Sequence, residues 1–89
     1  MDIEWSERAR RNLSDISAYS ARDDPDAADR VVDRILTATE RLSVHPAIGR
    51  VGRIDGTREL VVGGTPYVVP YRVYHDRVEI IAVPHDAQQ

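Results

Sequence analysis

Residues 56–89 read GTRELVVGGTPYVVPYRVYHDRVEIIAVPHDAQQ, and this stretch leaves little freedom in what the chain can fold into. It divides into three β-branched runs separated by turn residues. The run 58–62 is apolar after its first two residues, and Gly63-Gly64-Thr65 can supply the positive φ angles of a tight hairpin. Over 66–74 the side chains alternate. Tyr67, Val69, Tyr71 and Val73 share one face, and Val68, Pro70, Arg72 and Tyr74 share the other. His75-Asp76 makes a second turn, and 77–83 returns. The pattern predicts a three-stranded antiparallel meander that carries His85 to a strand end, where a side chain is ordered yet meets solvent. Pro70 interrupts the pattern. It lacks the ladder N–H, which predicts a local bulge or a position facing an unpaired edge.

The front half is helical. Asp2–Trp5 reads as a short strand. Ser6 then suits an N-cap, because its hydroxyl can accept from free N–H groups of the first turn, and Glu7 suits the positive helix end. A helix to Ala21 places Ala9, Leu13, Ile16 and Ser20 on one face. Asp23-Asp24-Pro25 ends it. Asp24 caps a second helix with Pro25 at its first position, where the missing N–H costs nothing. Ala28, Val31, Ile35, Ala38 and Leu42 form a regular stripe along that helix. Both stripes need a cover, and the meander is the available one. Residues 44–57, with Pro46, Gly49, Gly52 and Gly56, read as a crossover loop, and Trp5 as the seal at one end of the core. The expected fold is α+β: a short N-terminal strand, an α-helical hairpin, then a three-stranded antiparallel meander. The pattern does not place the first strand in the sheet.

At 89 residues the chain is expected to be one domain, 1–89. A chain this short buries only about 60–65% of its unfolded surface, so its core is thin. Cysteine is absent, which excludes disulfides and thiolate metal sites. His45, His75 and His85 match no compact metal spacing, and no cofactor is expected. The start lacks the basic and apolar regions of a signal peptide, and no apolar run approaches the ~20 residues of a membrane span. The expectation is a soluble cytoplasmic protein without a membrane contact. The formal net charge is −3, and all 12 basic residues are arginine. A chain with no basic excess is poorly suited to direct nucleic-acid binding. Acid gathers at Asp23, Asp24, Asp26, Asp29 and Asp33, which leaves Arg50, Arg53 and Arg58 as a candidate positive patch.

Taken in order, these elements resemble the RelE/ParE superfamily of small bacterial toxins. The resemblance rests on Arg58-Glu59-Leu60, on Tyr67 with Tyr71-Arg72-Val73, and on Val78 to His85. Ile3-Glu4-Trp5-Ser6, the two helices and the Pro46 to Arg50 loop extend it over nearly the whole chain. It implies the toxin of a type II toxin–antitoxin pair, in a hetero-oligomer with a ParD/RelB-like antitoxin whose flexible part folds on binding. The chain is more similar to the ParE branch, which implies DNA gyrase as target and growth arrest as outcome. The RelE branch implies instead a ribosome-dependent mRNA endonuclease. There a base activates the ribose 2′-OH and cations stabilise the transition state. An inactive relative serving only as an interaction domain is the third reading.

The candidate binding residues for antitoxin or target are Arg50, Arg58, Tyr71, Arg72 and His85. Arg58 and Arg72 could grip carboxylates of a partner with their planar forks, or make surface ion pairs with Glu59 or Glu79. Tyr67 and Tyr71 read first as core, with hydroxyls aimed at a partner or the rim. A thin core and a sheet with exposed tyrosines both agree with a permanent partner. His85 has three readings: a strand-end side chain bonding backbone, a binding residue, or the catalytic base of an RNase. Catalysis is disfavoured because Val68 stands where the RNase branch typically carries an extra arginine, and because no basic segment follows His85. Gly49-Arg50-Val51-Gly52 and Gly63-Gly64 lack the context of a phosphate loop and read as turns.

Overall fold

The computed structural model describes residues 1–85. The elements are β1 (Asp2–Trp5), α1 (Glu7–Ala21), α2 (Pro25–Glu40), a 3-10 turn at Arg41–Ser43, β2 (Arg50–Val51), β3 (Arg58–Val61), β4 (Val68–Val73) and β5 (Arg77–Ile80). The predicted α+β arrangement holds. β3, β4 and β5 form the expected antiparallel meander, and two further strands extend it to a five-stranded sheet in the order β1-β5-β4-β3-β2. The first strand lies at one edge, parallel to β5, with Asp2 opposite Arg77 and Trp5 opposite Ile80. At the other edge Arg50 pairs with Glu59 and Val51 with Arg58. The segment expected as a plain crossover therefore contains a strand.

Both helix starts form as the caps dictate. Ser6 Oγ accepts from the Ala9 N–H at 3.0 Å, and Asp24 Oδ1 accepts from Asp26 N–H at 3.0 Å, with Pro25 opening α2. The helices lie against the face of the sheet that carries Leu60, Val62, Val69, Tyr71, Val78 and Ile80. Ile35 and Leu42 are completely buried, Ala28 and Ala38 nearly so, and Val31 packs partly against the cluster with Leu13 and Trp5. The stripe outlasts α2, since Leu42 reaches the core from the 3-10 turn.

Pro70 sits in the central strand, not at an edge. It stands opposite Glu59 on one side, in a pair that makes no mutual hydrogen bond. On the other side Ile81 N–H donates to the Pro70 carbonyl at 3.0 Å. The reciprocal bond, from residue 70 to the Ile81 carbonyl, cannot exist because proline has no N–H. The Ser6 hydroxyl takes that place, donating to Ile81 O at 2.8 Å, while Ser6 N–H donates to Ile80 O at 3.0 Å. The cap of α1 thus also completes the end of β5.

The ladder then slips by one residue. Tyr71 pairs with Ile80, but Tyr67 bridges His85, so four steps along β4 face five along the other segment. The predicted bulge therefore lies in the segment opposite Pro70. It ends β5 at Ile80 instead of Val83. Its freed Val83 N–H is not left bare, since it donates to Asn12 Oδ1 of α1 at 3.0 Å.

Ile35→Ala should lower the unfolding free energy by about 2–5 kcal/mol, because it opens a cavity under a fully buried side chain. Urea unfolding of both proteins gives this difference directly. An unchanged midpoint would contradict the packing of α2 on the sheet.

Candidate functional site

Three of the candidate residues, Arg50, Arg58 and Tyr71, meet around one loop. Tyr71 is completely buried. Its hydroxyl donates to the Pro46 carbonyl at 2.7 Å and accepts from the Gly49 N–H at 2.9 Å. The Arg58 guanidinium closes the same loop by donating to the carbonyls of Gly49 at 2.8 Å and Ala47 at 3.3 Å. Gly49 is required by this approach. A Cβ there would stand 2.6 Å from the Tyr71 hydroxyl and 2.8 Å from the Glu59 carbonyl oxygen. Burial pushes the Tyr71 phenol up in pKa, against smaller opposing effects of the Gly49 N–H and the Arg58 charge.

On the opposite face of β3, the carboxylate of Glu59 is buried, with the residue 7% exposed. Its Oε1 accepts from Arg50 Nε at 3.1 Å and Nη2 at 3.0 Å. Its Oε2 accepts from the Arg53 backbone N–H at 3.2 Å and lies 3.8 Å from Arg53 Nε. Burial alone, the largest single effect, would raise the Glu59 pKa. The Arg53 N–H, the Arg50 hydrogen bond and the charges of both arginines together outweigh it and hold the carboxyl below its ordinary value. This buried carboxylate was visible in sequence only as part of Arg58-Glu59-Leu60. Of the two readings of Arg58, the surface ion pair with Glu59 or Glu79 does not form among the described residues: Arg58 binds carbonyls, and Glu59 takes Arg50 and Arg53.

Arg72 lies apart from this group, across the strand from Glu79. Its Nη1 reaches the Asp55 carbonyl at 3.5 Å, the outer limit of a hydrogen bond. Among the described residues neither Arg58 nor Arg72 makes an ion pair with Glu59 or Glu79. Two expectations about tyrosines change. Tyr71 has no surface with which to touch a partner and acts on the loop instead. Tyr67 is half-buried, and the strongly exposed tyrosine is Tyr19, at 64%.

His85 occupies the far end of β4, bridged to Tyr67. The two rings meet edge to face, 5.5 Å apart at 79°. Both line a groove of about 800 Å³ that runs beside α1, floored by Ile16, Val31 and Val83. Arg8, Asp15 and Asp23 stand along it. Burial raises the Tyr67 pKa, and Tyr19 across the groove adds to the effect. A second, smaller hollow of about 430 Å³ lies on the sheet face away from the helices, between Glu59, Val68, Pro70 and Ile81. Val68 is 2% exposed there. Among the described residues no three His, Cys, Asp or Glu side chains converge as a metal site, and no helix is long and apolar enough to cross a membrane.

The chain is similar along nearly its whole length to known toxins. A family model described as the ParE toxin of the type II toxin–antitoxin system parDE matches residues 3–89. "Putative toxin Y4kP" of Sinorhizobium fredii (strain NBRC 101917 / NGR234) is 55% identical over 98% of this chain and 90% of its own length. Toxin RelE3 of Caulobacter vibrioides (strain ATCC 19089 / CIP 103742 / CB 15) is 38% identical over 98% of this chain and 96% of its own. Among solved structures, the chromosomal ParDE system from P. aeruginosa superposes with a TM-score of 0.88 at 23% identity, over 96% of this chain and 95% of that one. The toxin–antitoxin complex RelBE2 from Mycobacterium tuberculosis gives 0.65 at 27%, over 94% and 95%.

Two measurements check the site. Tyr71→Phe keeps the ring but leaves the Gly49 N–H and the Pro46 carbonyl without their partner, so it should cost about 1–3 kcal/mol in chemical unfolding. A neutral result would mean the loop is not held by the hydroxyl. The depressed pKa of Glu59 fixes a sign for acid stability. Its contribution is fully present above the ordinary value of 4.5 and is lost as pH falls through the lower folded value. The melting temperature should therefore drop in acid below about pH 4.5, and Glu59→Gln should flatten that drop while lowering stability at neutral pH. Parallel acid slopes for the two proteins would exclude Glu59 as the titrating group.

Proposed function

Since the chain belongs to the ParE toxin family of type II toxin–antitoxin systems, we propose that it arrests growth in the cytoplasm by inhibiting DNA gyrase. A cognate antitoxin of the ParD/RelB kind holds it inactive. The antitoxin part of this reading draws support from the structures it superposes on, both of which are toxin–antitoxin systems.

The observation that carries gyrase over mRNA cleavage is the charge of the sheet face away from the helices. An RNase that works without a metal must gather several cations on the scissile phosphate. Here Arg50 and Arg53 are held by the buried Glu59, and the position matched to an RNase-branch arginine is the buried Val68. His85 lines the same groove as Arg8, Asp15 and Asp23, two carboxylates against one arginine. This supports a surface that binds protein over one that grips a phosphodiester.

Inducible expression in a bacterial host, with and without the neighbouring small reading frame, tests the proposal. Growth should stop only without the neighbour. Purified protein should block gyrase supercoiling and leave mRNA intact on translating ribosomes. Codon-specific cuts in the ribosomal A site that disappear in His85→Ala would establish the endonuclease instead.

A further inference from the structure

The connection between β2 and β3 holds the one aspartate of the chain that is followed by glycine, Asp55-Gly56. In such a pair the side-chain carboxyl and the next main-chain nitrogen are spaced to close a five-membered ring, and glycine has no Cβ to obstruct the approach. Residues 53–56 are all exposed. The connection is pinned around the pair. Gly52 N–H donates to the Thr57 carbonyl at 2.8 Å, and the Ile54 carbonyl accepts from Thr57 N–H at 3.1 Å and from Thr57 Oγ1 at 2.6 Å. Gly56 has a φ of 79°, as a type II turn requires at its third position. Both reacting groups stand outside these bonds. Among the described residues the Gly56 N–H donates to nothing, and the Asp55 carboxylate makes neither a hydrogen bond nor an ion pair. A cation stands beside them. A Cβ on Gly56 would lie 2.8 Å from Arg72 Nη1, and the same nitrogen is 3.5 Å from the Asp55 carbonyl oxygen. A positive charge therefore borders the place where an attacking amide nitrogen and a tetrahedral oxyanion carry negative charge. Asp15, Asp29 and Asp33 differ in every respect: they lie within helices, where the next N–H is already bonded, and bulkier residues follow them.

We propose that Asp55 is a site of spontaneous covalent modification, closing to a succinimide on Gly56 and reopening mainly as isoaspartate. The Gly56 nitrogen bonds to Asp55 Cγ. One carboxyl oxygen leaves as water, carrying the amide proton and one from solvent. Water then adds to either imide carbonyl. Breaking the bond from nitrogen to Cγ restores aspartate. Breaking the bond from nitrogen to the former main-chain carbonyl carbon leaves the chain running through the side chain. The water lost is regained, so neither an oxidant nor a second protein is consumed. The product lengthens the main chain of the turn by one methylene and frees a carboxylate beside Arg72. A four-residue turn closed by Thr57 N–H cannot hold the extra atom in the same geometry. The strain reaches the Gly52 to Thr57 bond and the Arg53 N–H, which is one of the donors to the buried Glu59. Modification thus unpins β2 from β3. The inference is independent of the toxin's target and partner. The enzyme class suited to the product is a carboxyl methyltransferase that recognises the freed isoaspartyl carboxylate.

The test is prolonged incubation of the whole purified chain at growth temperature, in water enriched in heavy oxygen, beside Asp55→Glu. Glutamate keeps the charge but must close a six-membered ring, which is far slower. Equal unfolding midpoints of the two fresh proteins will show that the variant folds as wild type does. Peptide mapping should place heavy oxygen and isoaspartate at residue 55. An isoaspartate-specific carboxyl methyltransferase with a labelled methyl donor should label aged wild type, and label in aged Asp55→Glu should fall to the level of fresh protein. The modified fraction, separated by chromatography, should unfold at lower urea than fresh protein, whereas Asp55→Glu should keep its midpoint through the same incubation. Absence of heavy oxygen at residue 55, isoaspartate at other aspartates instead, or equal label in both aged chains overturns the proposal. Isoaspartate at residue 55 with an unchanged midpoint overturns the unpinning of β2.

Discussion

A phenol in the middle of a small core must dispose of its one polar atom, and much of this molecule is arranged around how Tyr71 does so. The ring is fully enclosed between sheet and helices, where an unmatched hydroxyl is expensive. The chain answers by bending the 46–50 segment until the Pro46 carbonyl and the Gly49 N–H reach that oxygen. This bend sets the course of β2. Arg50 then lies opposite Glu59, and the buried carboxylate finds its cations. Arg58 closes the arrangement from the other side. One hydroxyl therefore organises the loop, the edge strand and the electrostatics of the face beyond it.

The elements that could be read from the chain are those whose signals are local. Ser6 and Asp24 cap the helices because a cap acts within three residues, and the Ala28 to Leu42 stripe repeats often enough to reveal a period. β2 has two residues, too few for any alternation to register. Its partners lie on the far side of a turn. β1 was recognisable as a strand, but its neighbour is about 75 residues away, and no local pattern carries that information. The bulge opposite Pro70 was half legible. The proline announced a fault in the ladder, but only the fold shows that the fault falls on the opposing segment, with Ser6 and Asn12 supplying what is missing.

The arginines teach a related lesson. Residue type placed Arg50 and Arg58 among the binding candidates, since a planar guanidinium suits a carboxylate of any origin. In the fold Arg58 binds main-chain carbonyls, and Arg50 binds a carboxylate of its own chain. Arg8, on an exposed helix turn, attracted no attention in sequence because nothing near it marks a site. Its setting emerges only when Tyr67 and Val83, distant in sequence, are brought beside α1.

The parallel pairing of β1 with β5 also has a consequence in time. β1 precedes its partner β5 by about 75 residues, so it leaves the ribosome well before the strand it joins. At about 5–20 residues per second, that separation takes roughly 4–15 s to synthesise. Through nearly all of that interval β1 has no partner, and Ser6 has no Ile80 or Ile81 carbonyl to meet. Such distant contacts also slow closure once the chain is complete. The helical hairpin can assemble early, whereas the described sheet must wait for β5. Translation therefore imposes a delay between the helical hairpin and the sheet edge that β1 and β5 share.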